Sequence, residues 1–199
     1  MTKHLKACLN KQSESQAESQ AESQAESQEK KKPFFHIVID GLERPQYWMH
    51  LKVAADAKLS DLDKFLRDTW LECCGHLSAF NSPQGELEMK KKLKDVMKPG
   101  TELVHEYDFG DTTILRVKVI DLREGAAEKK KILMLARNDP PEILCSECGK
   151  AQSVKVCTEC MWDGAGWLCK KCVKKHDCDE EMLLPVVNSP RTGVCGYTG

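Results

Sequence analysis

The chain has 199 residues, of which 41% are apolar, and its 30 Lys+Arg against 31 Asp+Glu leave a net charge of -1. That apolar share supports a packed core, and the balanced charge excludes both a strongly basic nucleic-acid-binding chain and an acidic solvating one. No run approaches ~18 apolar residues, and the start MTKHLKACLNKQSES lacks the ~7–15-residue apolar stretch of a secretory signal. The expected location is therefore the cytoplasm, with no membrane contact.

Residues 1–32 carry a tandem (A)ESQ repeat with glutamates at Glu14, Glu18, Glu22 and Glu26. Like charges at i,i+4 oppose a helix. Ala17, Ala21 and Ala25 offer too little burial to offset ~1–2 kcal/mol per ordered residue. The segment reads as a disordered low-complexity tail ending in solvated lysines.

Residues 33–144 read as an α+β domain, a small antiparallel sheet with a packed helix. Phe35, Ile37 and Ile39 alternate with Phe34, His36 and Val38, as on a strand. A turn at Gly41–Pro45 leads to a second strand with Tyr47, Met49, Leu51 and Val53 on one face. The period then changes to a helical one over Leu59, Leu62, Phe65, Leu66, Thr69, Trp70 and Cys73. Ser60 is its expected N-cap, with Asp63 three residues on, and Gly75 its expected stop. Its stripe should bury Trp70 and Cys73. Strand-like runs follow at Thr101–Tyr107, Thr112–Asp121 and Lys131–Arg137. The link at Asp108–Asp111 should be a tight turn in which Gly110 supplies a positive φ.

Composition changes at Leu144–Cys145. Eight of the eleven cysteines lie in the last 55 residues. Three Cys-x-x-Cys pairs, Cys145/Cys148, Cys157/Cys160 and Cys169/Cys172, begin 12 residues apart and are followed by His176-Asp177-Cys178. Zinc takes four thiolate or imidazole ligands, and a tight turn lets one Cys-x-x-Cys grip one ion. Eight ligands suit two closed, structural zinc sites in a module spanning 145–180. A sequential pairing would join Cys145/Cys148 to Cys157/Cys160. A cross-brace would join Cys145/Cys148 to Cys169/Cys172, and Cys157/Cys160 to His176/Cys178. The spacing resembles small cross-brace fingers of the B-box type, which favours the second scheme. Lys170, Lys171, Lys174 and Lys175 offset the charge of the thiolates, or form a partner-binding patch with Trp162 and Trp167. Tyr197 is a further candidate anchor.

The order of motifs in 33–144 resembles the plasmid pRiA4b open-reading-frame-three family. The resemblance rests on Arg44-Pro45-Gln46-Tyr47-Trp48, the leucine-rich helix to Trp70, His76-Leu77-Ser78-Ala79-Phe80 and Tyr107-Asp108-Phe109-Gly110-Asp111. Thr113 and Leu115 stand where the family often has Trp and His. The stretch Asn188–Tyr197 is similar to the family's closing segment. This implies that the metal module is an insertion and that 181–199 returns to the first domain at about Leu184. The family has no established reaction.

The chain lacks a Gly-x-Ser-x-Gly elbow, a P-loop, a Gly-x-Gly-x-x-Gly after a strand and a His-Glu-x-x-His, so no nucleophile–base set can be named. The leading expectation is a non-enzymatic, zinc-stabilised interaction protein with a protein partner. A nucleic-acid-binding protein linked to mobile elements is the first alternative. An enzyme using a polar cleft of His76, His105, Asp108 and Asp111 is the second.

Overall fold

The computed structural model describes residues 31–199, so the repeat and most of the expected N-terminal tail lie outside the described residues. Ten strands and two short α-helices are present among them. The strands are β1 (Lys32–Gly41), β2 (Trp48–Ala54), β3 (Ser78–Ser82), β4 (Gly85–Leu87), β5 (Glu102–Tyr107), β6 (Thr113–Gly125), β7 (Ile132–Arg137), β8 (Lys155–Cys157), β9 (Trp167–Leu168) and β10 (Leu183–Pro185). The helices are α1 (Leu59–Leu66) and α2 (Leu93–Val96).

The first seven strands form one antiparallel sheet in the order β4-β3-β5-β6-β1-β2-β7, larger than the small sheet expected. β1 sits inside it, paired to β2 and β6, and its period-2 pattern shows why: Phe35, Ile37 and Ile39 are buried. Met49, Leu51 and Val53 of β2 and Leu115, Val117 and Val119 of β6 share that face. Leu59, Leu62 and Leu66 of α1 complete a single core. The opposite face is polar, with Arg116 bonded to Asp40 and Lys118 paired with Glu102. The fold is therefore α+β, with one covered and one wet sheet face.

The helix departs from expectation at both ends. Its N-cap is Lys58, whose backbone N–H donates to the Asp61 carboxylate at 2.8 Å; Ser60 lies inside the first turn. After Leu66 the chain widens into a π turn over Arg67–Leu71, closed by the Glu72 N–H on the Arg67 carbonyl. A wider turn brings two adjacent large side chains, Trp70 and Leu71, onto the core together. It also shifts the register, so Cys73 leaves the stripe and stands half-buried at the edge rather than in the core.

From β7 the chain runs into a smaller unit built on a three-stranded sheet ordered β10-β8-β9. It then comes back to the first domain. Asn138 and Asn188 bond each other at this neck, the Asn138 amide to the Asn188 side chain and the Asn188 amide to the Asn138 carbonyl. Beyond it, Ser189, Arg191 and Thr192 are buried. The Ser189 hydroxyl donates to the Trp70 carbonyl at 2.6 Å, occupying a backbone acceptor in the π turn. Arg44 donates to the carbonyls of Pro190 and Thr192. Tyr197, a candidate anchor by sequence, is 4% exposed and so presents no surface.

Candidate functional site

The small unit gathers its ligand residues by strand pairing. β9 lies against the turn of the first cysteine pair, through the Ser146 N–H on the Trp167 carbonyl and the Trp167 N–H on the Ser146 hydroxyl. The residues after β9, Cys169 and Cys172, are thereby delivered to Cys145 and Cys148. β10 pairs with β8, and the Thr158 N–H donates to the Met182 carbonyl, so the chain around His176 and Cys178 reaches Cys157 and Cys160. Gly166, at φ +83°, permits this crossing: a Cβ there would stand 3.0 Å from the Cys157 carbonyl oxygen.

The result is two four-residue clusters, Cys145/Cys148/Cys169/Cys172 and Cys157/Cys160/His176/Cys178. In each, the ligand atoms all lie within 4.8 Å of one another. This is the interleaved pairing, not the sequential one. Cys148 and Cys169 sulfurs are 4.0 Å apart, Cys160 and Cys178 sulfurs 3.6 Å, and the Cys160 sulfur is 3.6 Å from His176 Nε2. Tetrahedral zinc with bonds of ~2.3 Å to sulfur and ~2.0 Å to nitrogen separates its ligands by about 3.8 Å (S···S) and 3.5 Å (S···N). Both sulfur–sulfur separations are far above a ~2.05 Å disulfide, and the ten described cysteines are free thiols. The donor chemistry and spacing therefore fit a divalent soft-to-borderline metal such as zinc.

The electrostatics lean the same way. Burial raises the Cys145 thiol, but N–H donors from Cys169, Cys148 and Glu147 outweigh it and bring the pKa to about 6. Burial likewise opposes ionisation of Cys157, yet backbone donation at Cys160 and the His176 ring lower it to about 7. Their neighbours move the other way. Cys172 is pushed to about 12 by its thiol partner Cys169, and Cys178 to about 12 by Cys160 and Cys157. Cys169 is lowered as well, by backbone donation at Cys172 and Lys171, so only part of each cluster ionises readily and the full set ionises only around a cation.

Lys170, Lys171, Lys174 and Lys175 are all exposed around these clusters. Trp167 is half-buried on β9, whereas Trp162 is 67% exposed. Trp162 stands at a cleft of about 270 Å³ between the two units, with Glu43, Arg44, Asp111, Thr113 and Pro190 among its walls.

The four polar-cleft candidates do not meet in one place. His105 is fully buried, with Nε2 2.8 Å from the Asp63 carboxylate and its ring edge-on to Phe80. Asp111 is exposed on the Trp162 cleft. Only His76 and Asp108 are adjacent, at 3.4 Å. Asp108, not Gly110, takes the positive φ of the turn (67°), and its carboxylate accepts the Gly110 N–H. Side-chain capping of this kind lets Asp adopt a left-handed conformation.

Two features escaped sequence reasoning. Arg191 is completely buried and donates to Asp108 at 2.6 Å, to Thr113, to the Asp111 carbonyl and to the Cys73 sulfur, while its guanidinium lies over Tyr107. A third cluster, Cys73/Cys74/His76/Cys195, forms beside it. The adjacent cysteines and the nearby histidine were visible as a short ligand-rich run; their fourth member is more than 100 residues away, so spacing gave no clue.

No family model and no curated protein matches the chain. Two solved chains match. One is a protein of unknown function, MM3350, from Methanosarcina mazei Go1. It is 20% identical over 53% of this chain and 69% of that one, with a TM-score of 0.47. A likeness at that level carries nothing about activity. Among the described residues, no helix is long and apolar enough to cross a membrane.

Proposed function

We propose that this is a non-enzymatic binding protein of the cytoplasm, whose 145–180 module is held by two structural zinc ions and serves to present a surface to a polypeptide partner. The observation that carries the reading is the completeness of the two donor sets. Four protein ligands per ion leave no open position for a substrate or an activated water, which a catalytic zinc needs. When bound, the ions supply cross-links; the chain supplies the surface. A reducing compartment keeps the thiols available for metal.

Trp162 is the anchor of that surface. Exposed tryptophan at the rim of a cleft is enriched at binding hot spots, because it brings large contact area with little entropy to lose. Glu43 and Asp111 against the single Arg44, which is turned onto the Pro190 and Thr192 carbonyls, leave the wall net acidic and favour a neutral or basic peptide over nucleic acid. We also propose kinship with the plasmid pRiA4b open-reading-frame-three family, supported by the motifs over 33–144 and the Asn188–Tyr197 stretch.

A photo-crosslinking residue in place of Asp163, exposed beside Trp162, tests the function. Discrete polypeptide adducts that disappear when the metal is chelated are expected. Adducts that survive chelation unchanged, or adducts to nucleic acid whose yield falls steeply with salt, refute it.

A further inference from the structure

We propose a third metal site, made by Cys73, Cys74, His76 and Cys195, that clasps the C-terminal segment onto the sheet domain. Its four ligand atoms lie within 4.8 Å of one another, as in the two module clusters. The Cys73 and Cys74 sulfurs are 3.5 Å apart and those of Cys74 and Cys195 3.8 Å. His76 Nε2 is 2.9 Å from the Cys74 sulfur and 3.2 Å from the Cys195 sulfur. The sulfur separations lie at and slightly below the ~3.8 Å of tetrahedral zinc, and the histidine needs to retreat by roughly 0.3–0.6 Å.

Each ligand is delivered by a feature already described. The π turn pushes Cys73 and Cys74 out of the helix stripe to the domain edge. His76 precedes β3 and packs edge-on to Tyr107. Cys195 arrives from the far end of the chain with φ +48°, in the left-handed region that non-glycine residues seldom occupy. Among the described residues only Asp108 shares that property, and Asp108 contacts His76. Arg191 stands behind the cluster with Nη2 3.4 Å from the Cys73 sulfur. Three thiolates around one divalent ion leave one negative charge, and this buried guanidinium, shared with the Asp108 carboxylate, turns an N–H donor toward the Cys73 sulfur.

The chemistry is exchange of protons for metal. The thiol protons pass to solvent as the sulfurs bind, with no electron transferred. The ion so held would cross-link positions 121 residues apart. Because Cys74 and Cys195 are exposed, it is also the ion most open to competing chelators.

Native mass spectrometry of the reduced, zinc-loaded full chain should count three ions. Cys195→Ser and His76→Gln should each reduce the count to two. Two ions in the parent protein, with neither substitution lowering the number, overturns the site. Alkylation mapping with N-ethylmaleimide decides the case even where a variant fails to fold. In the loaded parent protein Cys74 and Cys195 should be protected despite their exposure, and a chelator should release them before the module thiols. Reaction of both in the loaded protein, or their recovery as a disulfide, refutes the proposal. Protection of the module cysteines, read separately, tests the two structural ions.

Discussion

The sheet domain and the metal module reach order by different routes. In the domain, Phe35, Ile37, Leu51, Leu62, Trp70 and their neighbours are removed from water entirely, and hydrophobic burial supplies the stability. The module has a handful of buried apolar side chains, chiefly Val156, Met161 and Leu168, with Cys145, Cys157 and Cys169 filling the remaining interior. There, the thiols that fill the interior are the same groups that stand in metal-compatible clusters. The contrast teaches that a short segment with so small a core would need another source of stability, which structural metal, at on the order of 10–16 kcal/mol per site, would supply.

The strongest way to break that contrast is to remove the metal. A thiol-competent chelator should unfold the 145–185 region while the large sheet persists, read as loss of amide-exchange protection in β8–β10 but not in β1, β2 and β6. Simultaneous loss in both regions would erase the distinction. Next in size is Trp70→Ala, which empties the domain core and should cost about 3–5 kcal/mol by denaturant titration. Zinc content of the folded fraction should stay unchanged.

A smaller effect sharpens the domain side. Burial raises the Asp63 carboxyl, but hydrogen bonds from His105 and Ser78 and the Arg67 charge together hold it below its ordinary 3.8. A depressed folded-state pKa stabilises above the unfolded value and is lost as pH falls through the folded one. Sheet stability should therefore decline below about pH 4, and Asp63→Asn should flatten that decline while costing about 1.5–3 kcal/mol at neutral pH. The smallest expected effect on stability is that of Trp162→Ala, within about 0.5 kcal/mol, because its side chain is mostly in water. Crosslinking to a partner from neighbouring positions should nevertheless be lost.

Much of this was legible in the sequence because it is local. Period-2 alternation marked β1 and β2, and the cysteine spacing marked every ligand in the module. What was illegible depends on backbone geometry or on distance along the chain. The π turn has no side-chain signature, so Cys73 was assigned to the helix stripe. The left-handed residue of the Asp108–Asp111 turn was expected at the glycine, since the capping bond that lets Asp108 take it is visible only in three dimensions. His105 was grouped with its sequence neighbours, although strand alternation sends it to the interior and Asp63. Arg191 gave no signal in the sequence, because Asp108, Thr113 and Tyr107, which close around it, lie far back along the chain.

The paired asparagines at the neck have a consequence for how such a molecule can vary. Asn138 and Asn188 bring the two connecting stretches of chain together, so the sheet domain holds the intervening residues as a closed loop, which faces it again across the Trp162 cleft and at Met161 beside Gly193. Loop closure grows with the logarithm of length, about 0.6 kcal/mol for each doubling, so a change in the length of the intervening stretch that spares the Met161 contact with Gly193 would cost the host little. A chain that keeps those two amides and the buried arginine beyond them can trade one insert for another and still fold.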